Sequence, residues 1–174
     1  MLCVGARLGG EVRAFKGMGA LAIGVDFNPG SRNPHVLWGD AHALAFPNHT
    51  FEVVYTNIID HIPDYARFFK ESHRVLRPGR LFLIDIDQNI PDHFAVHSNR
   101  RKLCDLEAEM RQWFSIEGHF SVTGEMNNVT QFYVTRARTF AVSKPDLDTL
   151  IATRKAEGRR AMCIPKLRSG AVYL

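Results

Sequence analysis

Apolar runs of strand length alternate with helix-like segments through the first half of the chain, the rhythm of parallel βαβ units whose helices cover both faces of one sheet. Leu2–Gly5 reads as the end of a first strand, Glu11–Lys16 as the start of a helix, Leu21–Asp26 as a second strand and His35–Trp38 as a short third. Phe51–Asn57, apolar and β-branched or aromatic along most of its length, predicts a fourth. Between Tyr65 and Leu76, the residues Phe68, Phe69, His73, Val75 and Leu76 recur at helical spacing, and Arg77-Pro78-Gly79 ends that helix. Arg80–Ile86 follows as a fifth strand, in which Leu81, Phe82, Leu83 and Ile84 predict burial on both faces.

The pattern changes after Asp87. Arg100–Phe114 predicts a charged amphipathic helix, and Ser115–Val122 and Gln131–Arg138 predict two strands of a hairpin around the turn-prone Gly124–Asn128. Lys144–Gly158 reads as a polar helix. Arg159–Leu174 has no clear period and contains Pro165 and Gly170, so order is expected there only if something holds the tail. The expected organisation is one α/β domain over 1–140, a doubly wound and mostly parallel sheet ending in an antiparallel hairpin, followed by a basic tail over 141–174.

Composition changes this picture little. The 174 residues are about one domain's length, and 45% hydrophobic with 23% charged residues is ordinary for a globular protein and excludes a disordered class. Cys3, Cys104 and Cys163 are odd in number and scattered, which fits reduced thiols better than a disulfide framework or a zinc site. No apolar run approaches the roughly 20 residues of a membrane span, and Met1–Arg7 does not resemble a signal peptide, so a cytoplasmic protein is expected. Charge is uneven. Through Thr135 there are thirteen basic and fifteen acidic residues, and beyond it nine basic and three acidic. Such a tail is either solvated surface or a contact for an acidic partner.

Candidate chemistry gathers at the predicted strand ends. Cys3-Val4-Gly5-Ala6-Arg7-Leu8-Gly9-Gly10-Glu11 runs from a strand through a glycine-containing turn into a helix, where the backbone approaches a ligand closely or merely turns. Asp26 follows Gly5 by 21 residues, the spacing at which a carboxylate meets the ribose hydroxyls of a nucleoside cofactor; the competing role is to start the Phe27-Asn28-Pro29-Gly30 turn. Gly39-Asp40-Ala41 closes the third strand, where the acid suits an adenine amino group and the Ala41 amide a ring nitrogen. Two acids on adjacent parallel strand ends face the crevice where open α/β sheets bind ligands.

In order and interval, Leu2–Asp87 resembles the type 11 group of class I S-adenosylmethionine-dependent methyltransferases, with a Rossmann-like sheet. The resemblance is carried by the glycine segment, Gly24-Val25-Asp26, Gly39-Asp40-Ala41-His42-Ala43-Leu44-Ala45-Phe46-Pro47, Phe51–Asn57 and Glu71-Ser72-His73-Arg74-Val75-Leu76-Arg77-Pro78-Gly79-Arg80. It implies S-adenosylmethionine as cofactor, held by Gly5, Ala6, Arg7, Gly9, Asp26, Phe27, Asp40, Ala41 and Asn57, and a small-molecule or lipid-like methyl acceptor. It also implies that Asn57-Ile58-Ile59-Asp60-His61 lies nearest the reacting methyl. His61 is then the candidate general base, against a surface or capping role, and Asp60 a cap for the next helix.

The sequence departs from the family at two positions. Cys3 stands where the first strand usually ends in an acid, and Arg7 where the middle glycine falls, so a catalytically degenerate binding or scaffolding module is the alternative expectation. The family's helices before the first strand are missing from this sequence, which reads as a truncated or divergent member. A nicotinamide dinucleotide enzyme shares the ribose acid but not the Gly-Asp-Ala and Pro-Gly segments. His93 and His97 form no metal pattern with Asp92, and no metal is expected. Trp38, Trp113, Phe68, Phe69 and Phe82 read as core.

Overall fold

A computed structural model describes residues 1–87, 103–123 and 129–138. The chain begins with β1 (Leu2–Val4), α1 (Gly10–Gly17), β2 (Ile23–Asp26), β3 (Val36–Trp38) and β4 (Phe51–Thr56). A 3-10 turn at Ile59–His61 leads into α2 (Tyr65–Val75) and β5 (Leu76–Asp87), and α3 (Leu103–Met110), β6 (Phe114–Thr123) and β7 (Val129–Ala137) complete the described elements. The sheet order is β3-β2-β1-β4-β5-β7-β6, parallel through β5 and antiparallel in the pairings of β7 with β5 and β6. The chain order reverses between β1 and β4, which opens a crevice beyond the carboxyl ends of those strands.

Strand alternation sends neighbouring residues to opposite faces, and each face finds its own cover. Leu2, Val4, Val54, Phe82 and Ile84 join Phe68, Phe69 and Val75 of α2 and Met110 of α3 in the larger core. Phe82 is fully buried and its ring lies 6.1 Å from Phe68 and Phe69 and 4.9 Å from Phe114. On the opposite face, Cys3 and Val36 pack with Ala6, Val12 of α1 and Ala22, and the rings of Phe15 and Tyr55 meet edge to face at 5.4 Å. Helices thus cover both faces, as the alternation of segments predicts.

Three buried side chains offset their desolvation with hydrogen bonds, whereas Ser72 Oγ, also buried, has no partner among the described residues. Thr56 Oγ1 donates to the Val4 carbonyl at 3.1 Å, and Thr135 Oγ1 to the Phe82 carbonyl at 2.9 Å. Tyr133 donates to Glu107 at 2.8 Å, tying α3 to the hairpin, and burial followed by the bond to Glu107 raises the phenol pKa. His73 Nε2 donates to the Arg138 carbonyl at 2.8 Å, and burial lowers the imidazole pKa.

Several boundaries move. β2 begins at Ile23 rather than Leu21, whose side chain is 93% exposed. β5 begins at Leu76, because Leu76 pairs with Phe51 and the register shifts before Val53 pairs with Leu81. The helix expected over Arg100–Phe114 is described as Leu103–Met110, and β6 takes Phe114 as its first residue. The expected core position of Trp38 is corrected: β3 is an edge strand, the connection before it carries no helix, and the indole is 70% exposed. Phe68, Phe69 and Phe82 are core, with Trp113 partly buried against it. The Lys144–Gly158 helix, the 141–174 tail and the His93–His97 pair lie outside the described residues.

Candidate cofactor site

The crevice is built from the loops after β1, β2, β3 and β4. Gly5 adopts φ +80°, and a Cβ there would stand 2.4 Å from the Ile58 side chain, so the loop after β4 can close onto the first turn only over a glycine. Gly9 adopts φ +78° with its amide donating to the Ala6 carbonyl at 2.6 Å, and α1 starts at Gly10 with no side-chain cap. The first amides of α1 therefore lack a side-chain acceptor at the end of the helix that favours negative charge.

Asp26 ends β2 beside this turn. Its Oδ2 accepts from the Arg7 amide at 2.8 Å and its Oδ1 from the Asn28 amide at 2.7 Å. The two roles read for it thus coexist: it starts the Asn28 turn and also braces the glycine loop, while each oxygen retains acceptor capacity toward the crevice. Arg7 holds φ +40°, a left-handed backbone that a side chain adopts at a cost of roughly 1–2 kcal/mol. Its side chain is exposed. Phe27 is exposed beside Asp26, its ring 5.9 Å from that of Trp38.

Asp40 lies just past β3, where the Gly39 amide donates to the Asp26 carbonyl at 3.0 Å, so the two acids stand on neighbouring strand ends. Asp40 Oδ1 accepts from the His42 amide at 2.8 Å and lies 2.9 Å from His42 Nδ1. The bond to the His42 amide, with the imidazole and Arg67 nearby, lowers the carboxyl pKa. Oδ2 accepts no hydrogen bond among the described residues. Ala41 packs its side chain on the larger core, which fixes its backbone.

After β4, Asn57 is exposed and Ile58 covers Gly5. His61 is exposed, and its Nε2 lies 3.3 Å from Asp60 Oδ2, a buried atom with no hydrogen-bond partner among the described residues. The 3.3 Å approach is an ion-pair distance rather than a well-aligned bond. Asp60 does not cap α2; Asp64 does, accepting from the Arg67 amide at 3.0 Å.

Cys3 lies wholly inside, and burial, with Glu11 nearby, pushes its thiol up to about 12, so it is inert. Glu11 is half-buried, and burial raises its carboxyl pKa. Tyr55 donates to Asp85 Oδ2 at 3.4 Å on the same face.

A clamp that the sequence motif did not reveal holds the Asp40 segment. Arg74 donates to Glu71 Oε1 and Oε2 at 2.8 Å each, to the Leu44 and Phe46 carbonyls at 2.7 Å each and to Asn48 Oδ1 at 2.9 Å. Glu71 Oε2 also accepts from the Leu44 amide at 2.9 Å. Only the residue types and their i,i+3 spacing on a helix were legible beforehand. A concavity of about 350 Å³ lined by His42, Ala43, Leu44, Arg67, Lys70 and Glu71 adjoins this clamp and takes in neither Asp26 nor the glycine loop. Among the described residues no group of His, Cys, Asp and Glu could hold a metal ion.

Comparison with known proteins agrees with this fold. Residues 2–84 match the family described as "Methyltransferase domain". The chain is 39% identical over 62 residues to the demethylmenaquinone methyltransferase of Listeria welshimeri, covering 34% of this chain and 26% of that protein. It is 34% identical over 109 residues to the 2-methyl-6-phytyl-1,4-hydroquinone methyltransferase of Synechocystis sp., covering 56% and 32%. The matched stretches thus span between a quarter and a third of these relatives' length. A Pyrococcus horikoshii OT3 protein shares the fold at TM-score 0.64 and 20% identity, over 79% of this chain and 81% of that one. An N-methyltransferase of Haemonchus contortus in complex with S-adenosylhomocysteine does so at TM-score 0.61 and 16% identity, over 79% and 48%. Residues 2–84 thus match this methyltransferase family, and the strand order and fold agree with the match.

Proposed function

We propose that the chain binds S-adenosylmethionine in the crevice and transfers its methyl group to a small-molecule acceptor. The observation that carries this reading is the pair of carboxylates on neighbouring strand ends, Asp26 with acceptor capacity left on both oxygens and Asp40 with Oδ2 available. Those residues fit the cofactor: Asp26 would take the ribose diol, Asp40 and the Ala41 amide the adenine edge, Phe27 the ring face, and the uncapped start of α1 a carboxylate. Gly5, Ala6, Arg7, Gly9 and Asn57 would line the remainder. When bound, the cofactor supplies an electrophilic methyl group on a sulfonium.

The protein's own part is chiefly positioning, because holding an acceptor in contact with the methyl and at the correct angle removes most of the entropic barrier. His61, on the turn after β4 with Asp60 Oδ2 3.3 Å from its Nε2, would take a proton from an acceptor hydroxyl or activated carbon. The relatives named for quinone and hydroquinone substrates make an aromatic, proton-bearing acceptor the class to assay first. With a hydroxyl acceptor, His61→Asn is expected to lower the turnover rate by roughly 10²- to 10⁴-fold with cofactor affinity unchanged; unchanged turnover removes His61 from the chemistry.

Calorimetry with S-adenosylmethionine and S-adenosylhomocysteine tests the reading directly, and the absence of heat and of thermal shift at saturating ligand overturns it. Arg7 offers a sharper check. In Arg7→Gly the left-handed backbone loses its steric cost while the unfolded chain gains entropy, a net gain of up to about 1 kcal/mol. Removing bulk and positive charge beside a sulfonium is expected to tighten cofactor binding as well. A variant less stable and no tighter than the parent would show that Arg7 serves the loop as it stands.

A further inference from the structure

The connection between β2 and β3 leaves one corner of the molecule uncovered. Parallel neighbours are ordinarily joined by a dozen or more residues that include a helix, yet residues 27–35 suffice here. Asn33 stitches them, its Nδ2 donating to the Pro29 carbonyl at 2.7 Å and its Oδ1 accepting from the His35 amide at 2.9 Å. With no helix over them, Trp38 is 70%, Phe27 66% and Leu8 62% exposed. Leu8 lies against the Gly30 turn of the same connection, and the Phe27 and Trp38 rings touch edge to face.

Exposed cations stand on the same connection and on the neighbouring α1. Arg13 on α1 donates to the Leu8 carbonyl at 2.9 Å, Lys16 Nζ lies 3.3 Å from His35 Nδ1, and Arg32 sits within the connection itself. Arg7, Arg13, Lys16 and Arg32 are all exposed. The acids of this stretch are withdrawn from the surface: Glu11 and Asp26 are half-buried, and both Asp26 oxygens accept backbone amides. The corner therefore presents an aromatic and aliphatic surface whose exposed charges are mostly cationic, the exception being the Asp40 side chain, 37% exposed just past Trp38.

We infer that this corner docks on an anionic bilayer surface, with Trp38 entering the headgroup layer and Arg13, Lys16 and Arg32 facing acidic headgroups. An indole has an apolar body and a polar tip suited to that boundary, and nearby cations add electrostatic attraction. A second copy of the chain fits less well, because the same cations would oppose one another across the contact. No helix among the described residues is long and apolar enough to cross a membrane. The inference stands on exposure and charge and does not require methyl transfer.

Flotation of the full chain with vesicles of phosphatidylcholine, with and without phosphatidylglycerol, tests it. Binding is expected to the anionic vesicles, weakened by added salt. Trp38→Ala should lower the partition coefficient about tenfold, and Arg32→Glu and Lys16→Glu each about fivefold or more. In a Trp113→Phe background, the remaining Trp38 emission should shift to the blue on vesicle addition. All the substituted corner residues are exposed, so these variants fold. No flotation, or equal partitioning of the parent and the corner variants, overturns the inference. So does preference for an acidic oligonucleotide over vesicles, or a lipid-free dimer that Trp38→Ala dissolves.

Discussion

Arg74→Ala is expected to lose about 2–4 kcal/mol of stability, because truncation leaves the Glu71 carboxylate and the Leu44 and Phe46 carbonyls without their shared donor. Both partners are mostly buried, at 28% and 16% exposure, so water offsets only part of the loss. For a domain of this size the melting temperature should fall by roughly 5–12 °C. Arg74→Lys should recover only part, since an ammonium keeps the charge but cannot span two carbonyls and a carboxylate as the guanidinium fork does.

Acid should expose the same clamp. The Arg74 hydrogen bonds, followed by the Leu44 amide, hold the Glu71 carboxyl pKa below its ordinary 4.5, against the opposing effect of burial. A carboxyl whose folded pKa is depressed contributes stability that is complete above the unfolded value and lost as pH falls through the folded one. Denaturation midpoints of the parent should therefore drop below pH 4.5, with a shallower drop in Arg74→Ala. Parallel curves for the two proteins, measured by circular dichroism from neutral pH downward, would show that the clamp carries no such linkage.

Asp26→Ala is expected to weaken S-adenosylmethionine binding by about 1.5–3 kcal/mol, or roughly 10- to 150-fold, through loss of charge-assisted hydrogen bonds to the ribose. The same substitution frees the Arg7 and Asn28 amides, so its thermal stability should be measured alongside the calorimetric titration. Asp26→Asn separates the two contributions. Its Oδ1 can still accept the Asn28 amide, whereas its NH2 meets the Arg7 N–H donor to donor, and the ribose loses a charged partner. Unchanged affinity in a folded Asp26→Ala protein would remove this carboxylate from the cofactor site and take the central support for the proposed reaction with it.

Much of the frame was legible from local pattern. Leu2, Val4, Val54, Phe82 and Ile84 lie on one face of the sheet because alternation is a property of the strand itself. The helical spacing of Phe68, Phe69 and Val75 placed α2, and the chain order of strands and helices implied the doubly wound sheet. Asp26 and Asp40 stand on adjacent strand ends for the same reason: each closes a short apolar run in a parallel sheet. Trp38 was misread because a short apolar strand looks alike at the centre of a sheet and at its edge. Only the helix-free connection over residues 27–35 decides which, and a nine-residue loop rich in Pro, Gly and Asn does not state what it fails to cover.

The sequence by itself determined the elements, their order and the two acids of the crevice, since these depend on spacing and on the fixed preferences of glycine and proline. Tertiary structure decided the partners: Arg74 reaching back some 30 residues to the Leu44 carbonyl, Tyr133 meeting Glu107, Ile58 closing over Gly5, and Asp60 turning its carboxylate toward His61. Such pairings arise from segments brought together by the whole sheet, or from the turn geometry it imposes, and a window of neighbouring residues contains neither.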